Sequence, residues 1–124
     1  LYATSYASGT VSLFTDSIIC EHVKRERLLI EAVSNYTNSQ VDVIGYSMGS
    51  PTARKAILGG HCVDTGEYVG GPLTHLVHTF LGVAGANFGA EWLCHDVVFH
   101  LLFQACNPLT GIVCNSTVLV SNSG

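Results

Sequence analysis

The spacing of apolar and polar positions along the chain predicts strands that alternate with helices. Apolar residues recur at steps near 3.6 from residue 18 to residue 36, which predicts a helix with the charged block at residues 24–27 on its solvated side. Near-continuous apolar runs at residues 41–45 and 76–84 are typical of parallel strands buried on both faces. A second helix is predicted at residues 47–58, where two glycines end it.

The order of these segments predicts the βαβαβ arrangement of a parallel α/β sheet. Residues 1–6 have β-leaning side chains and supply the first strand. Residues 61–72 are glycine-rich and are predicted as loop, and residues 92–103 are apolar but irregular. Because three strands would leave two edges and apolar faces uncovered, we expect residues 1–124 to be the central part of one larger domain, truncated at both ends.

Composition narrows the class of protein. The chain is 48% hydrophobic but only 11% charged, which is unusually apolar for a free-standing soluble domain. Its net charge of −4 and the lack of a basic stripe argue against a nucleic-acid partner. No apolar run reaches the roughly 18 residues of a membrane-spanning helix. The chain starts at Leu1 without a visible signal peptide, as a processed product or a fragment would.

One serine stands where a predicted strand meets a predicted helix, in the motif Gly45-Tyr46-Ser47-Met48-Gly49. This context is typical of a nucleophile elbow, a sharp turn that holds a serine hydroxyl out at the end of a sheet. The turn is expected to leave no room for side chains at Gly45 and Gly49. The N–H of Met48, at the start of the helix, is expected to stabilise an oxyanion that forms beside Ser47.

The alternative interpretation of this glycine-flanked serine is an ordinary turn between a strand and a helix, including one that binds phosphate. Its spacing matches neither the dinucleotide fingerprint nor the P-loop. The later glycines Gly82, Gly85 and Gly89 also miss the dinucleotide spacing. The residues therefore favour the nucleophile elbow.

Several segments resemble the class 2 lipases, in particular the secreted branch abundant in nematodes. The resemblance spans nearly the whole chain and is densest at residues 41–64; it rests on "LYATSY", "VDVIGYSMGSPTARKAILGG", "CVDTGE", "GVAGAN" and "ACNPLTG". It implies an α/β-hydrolase fold, hydrolysis of acyl-lipid esters and a Ser-Asp-His triad without cofactor or metal. Ser47 resembles the nucleophile and Met48 the oxyanion-hole residue. The acid and base of the family match no position in this chain, so they are expected outside it.

One aspartate and the histidines of this chain are considered as an acid or base for Ser47. Asp96 follows the last predicted strand and is a possible acid, although an ordinary loop carboxylate is favoured, and His100 follows it too closely to be the base. His75 and His78 are three apart on a predicted strand, so they should point to opposite faces rather than form a metal pair. The remaining histidines are expected on loops or a helix surface, namely His22, His61 and His95.

The five cysteines and two glycosylation sequons point to an oxidising, extracellular compartment. The sequons begin at Asn35 and Asn115, and the cysteines form no CxxC pair. Helix direction places Cys62 at the far end of the Ser47 helix, about 18 Å from the other end. Cys62 is therefore predicted to be the unpaired cysteine, and the paired ones are drawn from Cys20, Cys94, Cys106 and Cys114.

Two functional classes remain open from the sequence. One is a secreted serine-dependent lipase or esterase that acts on acylglycerols or other ester lipids. The other is a catalytically inactive binding protein on the same fold, since fold does not determine function. An intact elbow at Ser47 favours the enzyme.

Overall fold

The computed structural model describes residues 1–6, 9, 11–96, 98 and 102–122, apart from the side chains of residues 13 and 14. The elements in chain order are α1 (Ser12–Thr15), α2 (Cys20–Thr37), β1 (Val41–Tyr46), α3 (Gly49–Leu58), β2 (Val77–Val83), α4 (Glu91–Cys94), a 3-10 turn (Gln104–Cys106) and α5 (Thr117–Ser121). The predicted α2, β1, α3 and β2 are thus all present, with boundaries within two residues of those expected.

The two strands are parallel and adjacent, with α3 as the connection between them, so the fold class is α/β as predicted. Gly45 pairs with Gly82, and Tyr46 with Val83, so both strands end at the same edge of the sheet. The register shifts between Val41 and Asp42. This common carboxyl edge is where residues after β1 and after β2 meet.

The prediction of a first strand at residues 1–6 is wrong. This segment has no strand pairing, and residues 1–5 are exposed, so the described sheet has two strands rather than three. Tyr6 is held through its side chain instead: its ring stacks on His22 at a centroid distance of 4.1 Å, and its hydroxyl lies 3.1 Å from Thr52 Oγ1. Strand propensity alone does not make a strand when no neighbouring strand offers its hydrogen bonds.

Burial of both strand faces was also predicted, and the described structure contradicts it. Helices α2 and α3 pack against each other and against β1, and they cover one face. On the other face Ile44 is 67% exposed, and its neighbour Leu81 is 53% exposed. An apolar run predicts a strand, but whether a second layer covers it depends on where the remaining elements lie.

Helix α2 is less solvated than its charge pattern suggested. Arg27 is only 6% exposed, and its guanidinium donates hydrogen bonds to the carbonyls of Ala56 and Gly71 at 2.5 and 2.9 Å. A buried cation is stabilised there by one carbonyl from the last turn of α3, which leaves carbonyls unpaired, and by one from the loop before β2. Glu26 is half-buried with its Oε2 out of contact with solvent, so the predicted solvated side holds for Lys24 and Arg25 only. None of the described helices is long and apolar enough to cross a bilayer.

The cysteine pairing differs from the prediction. Disulfides join Cys20 to Cys62 and Cys94 to Cys106, and Cys114 is the free cysteine. The chain does not stay at the far end of α3, because Gly59 and Gly60 have φ of 73° and 84° and reverse its direction. Backbone hydrogen bonds from Gly60 to Gly70, from Val69 to Gly60 and from Cys62 to Glu67 then form a hairpin. This hairpin carries Cys62 back to the start of α2.

Candidate active site

The turn between β1 and α3 holds Ser47 in an unusual backbone conformation. Its φ is 51°, in the left-handed region that non-glycine residues rarely adopt, and such a residue costs on the order of 1–3 kcal/mol. Ser47 is exposed to solvent, whereas Gly45 before it and Ser50 after it are buried. The sequence predicted this strand, turn and helix around Ser47, and the backbone has that form.

Backbone hydrogen bonds hold Ser47 from both sides. Its N–H donates to the carbonyl of Val83 at 2.9 Å, which extends the pairing of β1 and β2 by one residue. Its carbonyl accepts from the N–H of Ser50 at 3.0 Å, in the first turn of α3. The main chain is therefore fixed, while the side chain remains exposed.

Met48 provides the backbone N–H nearest to the serine on the helix side. It stands at the N-cap position of α3 with φ −63° and ψ −22°. Its carbonyl accepts a hydrogen bond from Thr52 Oγ1 at 2.9 Å, whereas its N–H donates none within the part of the chain that the structure describes. An unpaired N–H at a helix N-terminus attracts negative charge.

The two glycines of the motif have different surroundings. A Cβ at Gly45 would lie 2.7 Å from Ser50 Cα and 2.9 Å from the carbonyl oxygen of Gly49, so only glycine fits there. A Cβ at Gly49 would meet nothing within 4 Å among the described residues, and Gly49 has no positive φ. The expectation of a crowded turn is therefore right for Gly45 and wrong for Gly49. Gly49 opens α3, and the space that its Cβ would occupy is open, so the turn does not require glycine there.

Residues after β2 pack behind the turn, in a role that the sequence pattern did not predict. Ser50 is fully buried, and the Asn87 amide nitrogen donates to its Oγ at 3.0 Å. A Cβ at either Gly82 or Gly85 would lie 2.5 Å from the same Oγ. The small residues of "GVAGAN" were a signal for this close approach, because glycine in a strand end often marks a place where another backbone comes near.

Within the described residues, no carboxylate or imidazole contacts the Ser47 hydroxyl. Asp96 is exposed and accepts a hydrogen bond from the N–H of Val98 at 3.0 Å, as a loop carboxylate does. His95 is exposed next to it, and His100 lies outside the described residues. Asp96 as an internal acid thus has no contact that supports it.

The other histidines lie in ordinary structural settings. His78 pairs with Asp42 at 3.1 Å on an exposed part of the sheet. Asp42 lies five residues before Ser47, about 16 Å away along the strand. Hydrogen bonds from His78 and Thr79 lower the pKa of Asp42. His75 precedes β2 instead of lying on it, so the expectation of opposite strand faces does not apply to it.

His22 and His61 complete this set. His22 was expected on a surface but is only 8% exposed, because Tyr6 stacks on its ring and its Nδ1 contacts the carbonyl of Ser17 at 3.1 Å. His61 lies on the exposed hairpin against Tyr68. Neither ring has a contact that would make it a base for Ser47.

One cluster has the donor types of a metal site. The Cys20 and Cys62 sulfurs and a carboxylate oxygen of Asp64 lie within 4.8 Å of one another. The two sulfurs are bonded to each other, so neither is a thiolate that could bind a cation. Asp64 instead accepts a hydrogen bond from the Cys20 N–H, which makes this cluster a structural one.

Comparison with known proteins supports the resemblance seen in the sequence motifs. A search of curated proteins and a search of solved structures found no match. The family model described as "Lipase (class 2)" matches residues 1–122, nearly the whole chain. The chain therefore belongs to the class 2 lipase family.

Proposed function

We propose that this chain carries the nucleophile of a serine-dependent carboxylic ester hydrolase of the α/β-hydrolase fold, with Ser47 as the nucleophile and acyl lipids as substrates. The observation that carries the proposal is the exposed Ser47 at φ 51° between β1 and α3. Membership of the class 2 lipases supports ester hydrolysis at the family level. Strained backbone at an exposed nucleophilic side chain is a feature of functional sites.

In the proposed reaction Ser47 Oγ attacks the carbonyl carbon of the ester and loses its proton to a general base. The carbonyl oxygen becomes an oxyanion, which the N–H of Met48 and the N-terminus of α3 stabilise. The intermediate then expels the alcohol, which takes the proton from the base, and leaves an acyl-serine. Water hydrolyses this acyl-enzyme to the carboxylic acid and regenerates Ser47.

The base and its orienting acid are proposed to come from residues outside positions 1–124 of the full-length protein. No described histidine or carboxylate contacts Ser47, and a hydroxyl needs such a base to become a nucleophile at neutral pH. On this proposal residues 1–124 are the central part of one hydrolase domain. Asp96 would become the first acid to test if the chain proved active by itself.

An extracellular setting is proposed as well. Disulfides join Cys20 to Cys62 and Cys94 to Cys106, and disulfides persist in oxidising compartments. Both sequon asparagines, Asn35 and Asn115, are exposed and open to glycosylation.

The test is to label the protein from the full reading frame with a fluorophosphonate and to measure hydrolysis of a short-chain p-nitrophenyl ester. Ser47→Ala should abolish both labelling and turnover. Ser39→Ala is the matched control, because Ser39 is also exposed but precedes β1, at the opposite end of the strand. It should leave both signals unchanged. Turnover that persisted in Ser47→Ala would overturn the proposal, and a folded full-length protein without labelling or turnover would favour the inactive binding protein.

A further inference from the structure

Ser50 is buried in the turn that holds Ser47, and the half-buried Asn87 contacts it. Ser50 has 0% exposure, and the Asn87 side-chain N–H donates to its Oγ at 3.0 Å. Ser50 lies in the first turn of α3, and Asn87 lies four residues beyond the end of β2. This hydrogen bond therefore connects the two segments that leave the carboxyl edge of the sheet.

The backbone around this pair is packed without spare room. A Cβ added at Gly82 or Gly85 would come within 2.5 Å of Ser50 Oγ, and one added at Gly85 would lie 2.8 Å from the Asn87 amide nitrogen. On the opposite side, a Cβ at Gly45 would meet Ser50 Cα at 2.7 Å. Ser50 is thus enclosed by β1, by β2 and by the segment after β2, and it has little freedom to shift.

The pair is linked to Ser47 through a closed ring of hydrogen bonds. Ser50 N–H donates to Ser47 O at 3.0 Å, and Ser47 N–H donates to Val83 O at 2.9 Å. The main chain then leads from Val83 to Asn87, whose side chain donates to Ser50 Oγ and closes the ring. A non-glycine residue at positive φ persists only where its surroundings hold it there. This ring supplies such a constraint on both sides of Ser47.

The side chain of Asn87 is only half satisfied by its hydrogen bond to Ser50. Its Oδ1 is buried and accepts no hydrogen bond among the described residues. An unpaired buried oxygen destabilises the folded state, so the fold alone should tolerate apolar side chains at both Asn87 and Ser50, whereas a change at Asn87 alone leaves Ser50 Oγ without its donor.

We propose that Asn87 and Ser50 are a positioning pair for the nucleophile. The pair keeps Ser47 at its positive φ and thereby sets both the direction of Ser47 Oγ and the direction of the Met48 N–H. Neither residue is proposed to touch substrate. The inference rests on the proposed function, because it assigns the pair a role in the reaction of Ser47.

Loss of the pair should lower kcat and leave KM nearly unchanged. Without the Asn87 hydrogen bond the turn can relax toward an ordinary φ, which moves Oγ and the oxyanion donor together. A displacement of about 1 Å at reacting groups costs on the order of 10²-fold in rate. We therefore expect kcat to fall about 10- to 100-fold and KM to stay within about twofold.

The experiment uses the full-length protein with the single variants Asn87→Leu and Ser50→Ala and the double variant that combines them. Ester hydrolysis gives kcat and KM, the rate of fluorophosphonate labelling reports the reactivity of Ser47, and urea unfolding reports stability. Each single variant should show the fall in kcat, and the double variant should fall no further, because residues that act as a unit are not additive. Ser50→Ala removes only the hydroxyl oxygen, so it still tests the proposal if Asn87→Leu does not fold.

Asn122→Leu is the matched control. Asn122 is buried, shares with Asn87 an unpaired Oδ1 within the described part of the chain, and donates to the carbonyl of Pro51, the next residue of α3, at 3.2 Å. It lies outside the ring around Ser47, so kcat per folded molecule should not change. Equal kcat values in Asn87→Leu, Ser50→Ala and wild type would overturn the positioning pair, as would a loss confined to KM. Absence of labelling in the wild type would instead overturn Ser47 as the nucleophile.

Discussion

The carboxylate of Asp64 accepts a hydrogen bond from the backbone N–H of Cys20 at 3.0 Å, and so caps α2 from a hairpin 44 residues later in the chain. Ile19, at the N-cap position of α2, provides no side-chain cap of its own. The first turn of a helix leaves N–H groups unpaired, and a carboxylate there also interacts favourably with the helix dipole. The hairpin thus stabilises α2 through a cap as well as through the Cys20–Cys62 disulfide.

Removal of this cap should weaken the fold. We expect Asp64→Ala to lower the free energy of unfolding by about 0.5–2 kcal/mol, since the Cys20 N–H loses its acceptor. Asp64→Asn keeps an acceptor oxygen and should lose clearly less. The urea midpoint of the full-length protein measures both. Equal losses in the two variants would show that the negative charge, rather than the hydrogen bond, is what Asp64 contributes.

The two disulfides should differ in how much they stabilise the protein. Cys20–Cys62 closes a loop of 42 residues and Cys94–Cys106 one of 12. Loop-closure entropy predicts about 4 kcal/mol for the first and about 3 kcal/mol for the second. Replacement of each pair by serine, followed by urea unfolding, should show the larger loss for the first, and Cys114→Ser is the control. Non-reducing peptide mapping that found Cys62 free would contradict the pairing.

Gly45 and Gly49 should respond differently to the same change. Gly45→Ala forces a Cβ to within 2.7 Å of Ser50 Cα, so we expect it to destabilise the protein by about 1–3 kcal/mol and to reduce activity. Gly49→Ala meets open space and reduces the freedom of the unfolded chain, so it should be neutral or stabilise by up to about 1 kcal/mol. Thermal unfolding of both variants checks this. A Gly45→Ala variant as stable as wild type would exclude the close approach at the turn.

Glu26 should make stability depend on pH. Burial raises the pKa of Glu26 to about 7, and its Oε2 has no hydrogen-bond partner in the described part of the chain. The folded state therefore holds this proton more tightly than the unfolded chain. The stability it contributes is full below the unfolded pKa near 4.5, falls as pH rises through 7, and stays low above that.

Glu26→Gln removes the titration and should flatten this part of the pH profile. At pH 8 we expect the variant to be more stable than wild type by up to about 3 kcal/mol, because the wild type then carries an uncompensated buried charge. At pH 4 the two should be alike. Urea midpoints at several pH values give the comparison, and parallel profiles for the two proteins would refute the assignment.

Residues 1–124 expressed alone should associate and should not hydrolyse esters. Ile44 and Leu81 are neighbours on the uncovered sheet face, where Tyr46 and Val83 are exposed beside them. An exposed apolar face of this kind favours aggregation. Size exclusion should show large species, and Ile44→Thr with Leu81→Thr should reduce them. A monomeric chain with Ser47-dependent turnover would place the base and acid within these residues.

The sequence by itself determined the local elements around Ser47. Helices α2 and α3 and strands β1 and β2 follow from residue spacing, since periods of 3.6 and near-continuous apolar runs are properties of neighbouring residues. The strand–turn–helix setting of Ser47 follows from the same spacing. The class 2 lipase family was indicated by the resemblance of whole sequence segments, and the family match over residues 1–122 confirms it. The crowding at Gly45 was also foreseen from the turn itself.

Tertiary structure decided what depends on contacts between distant segments. Residues 1–6 form no strand because no partner strand is present beside them in the described structure. Arg27 is buried because the end of α3 and the loop before β2 each offer it a carbonyl. Cys62 pairs with Cys20 because a hairpin reverses the chain after α3. Ser50 and Asn87 meet because β1 and β2 end at one edge of the sheet. No local sequence pattern predicts these contacts. Each one joins two segments that are brought together only when the whole chain packs.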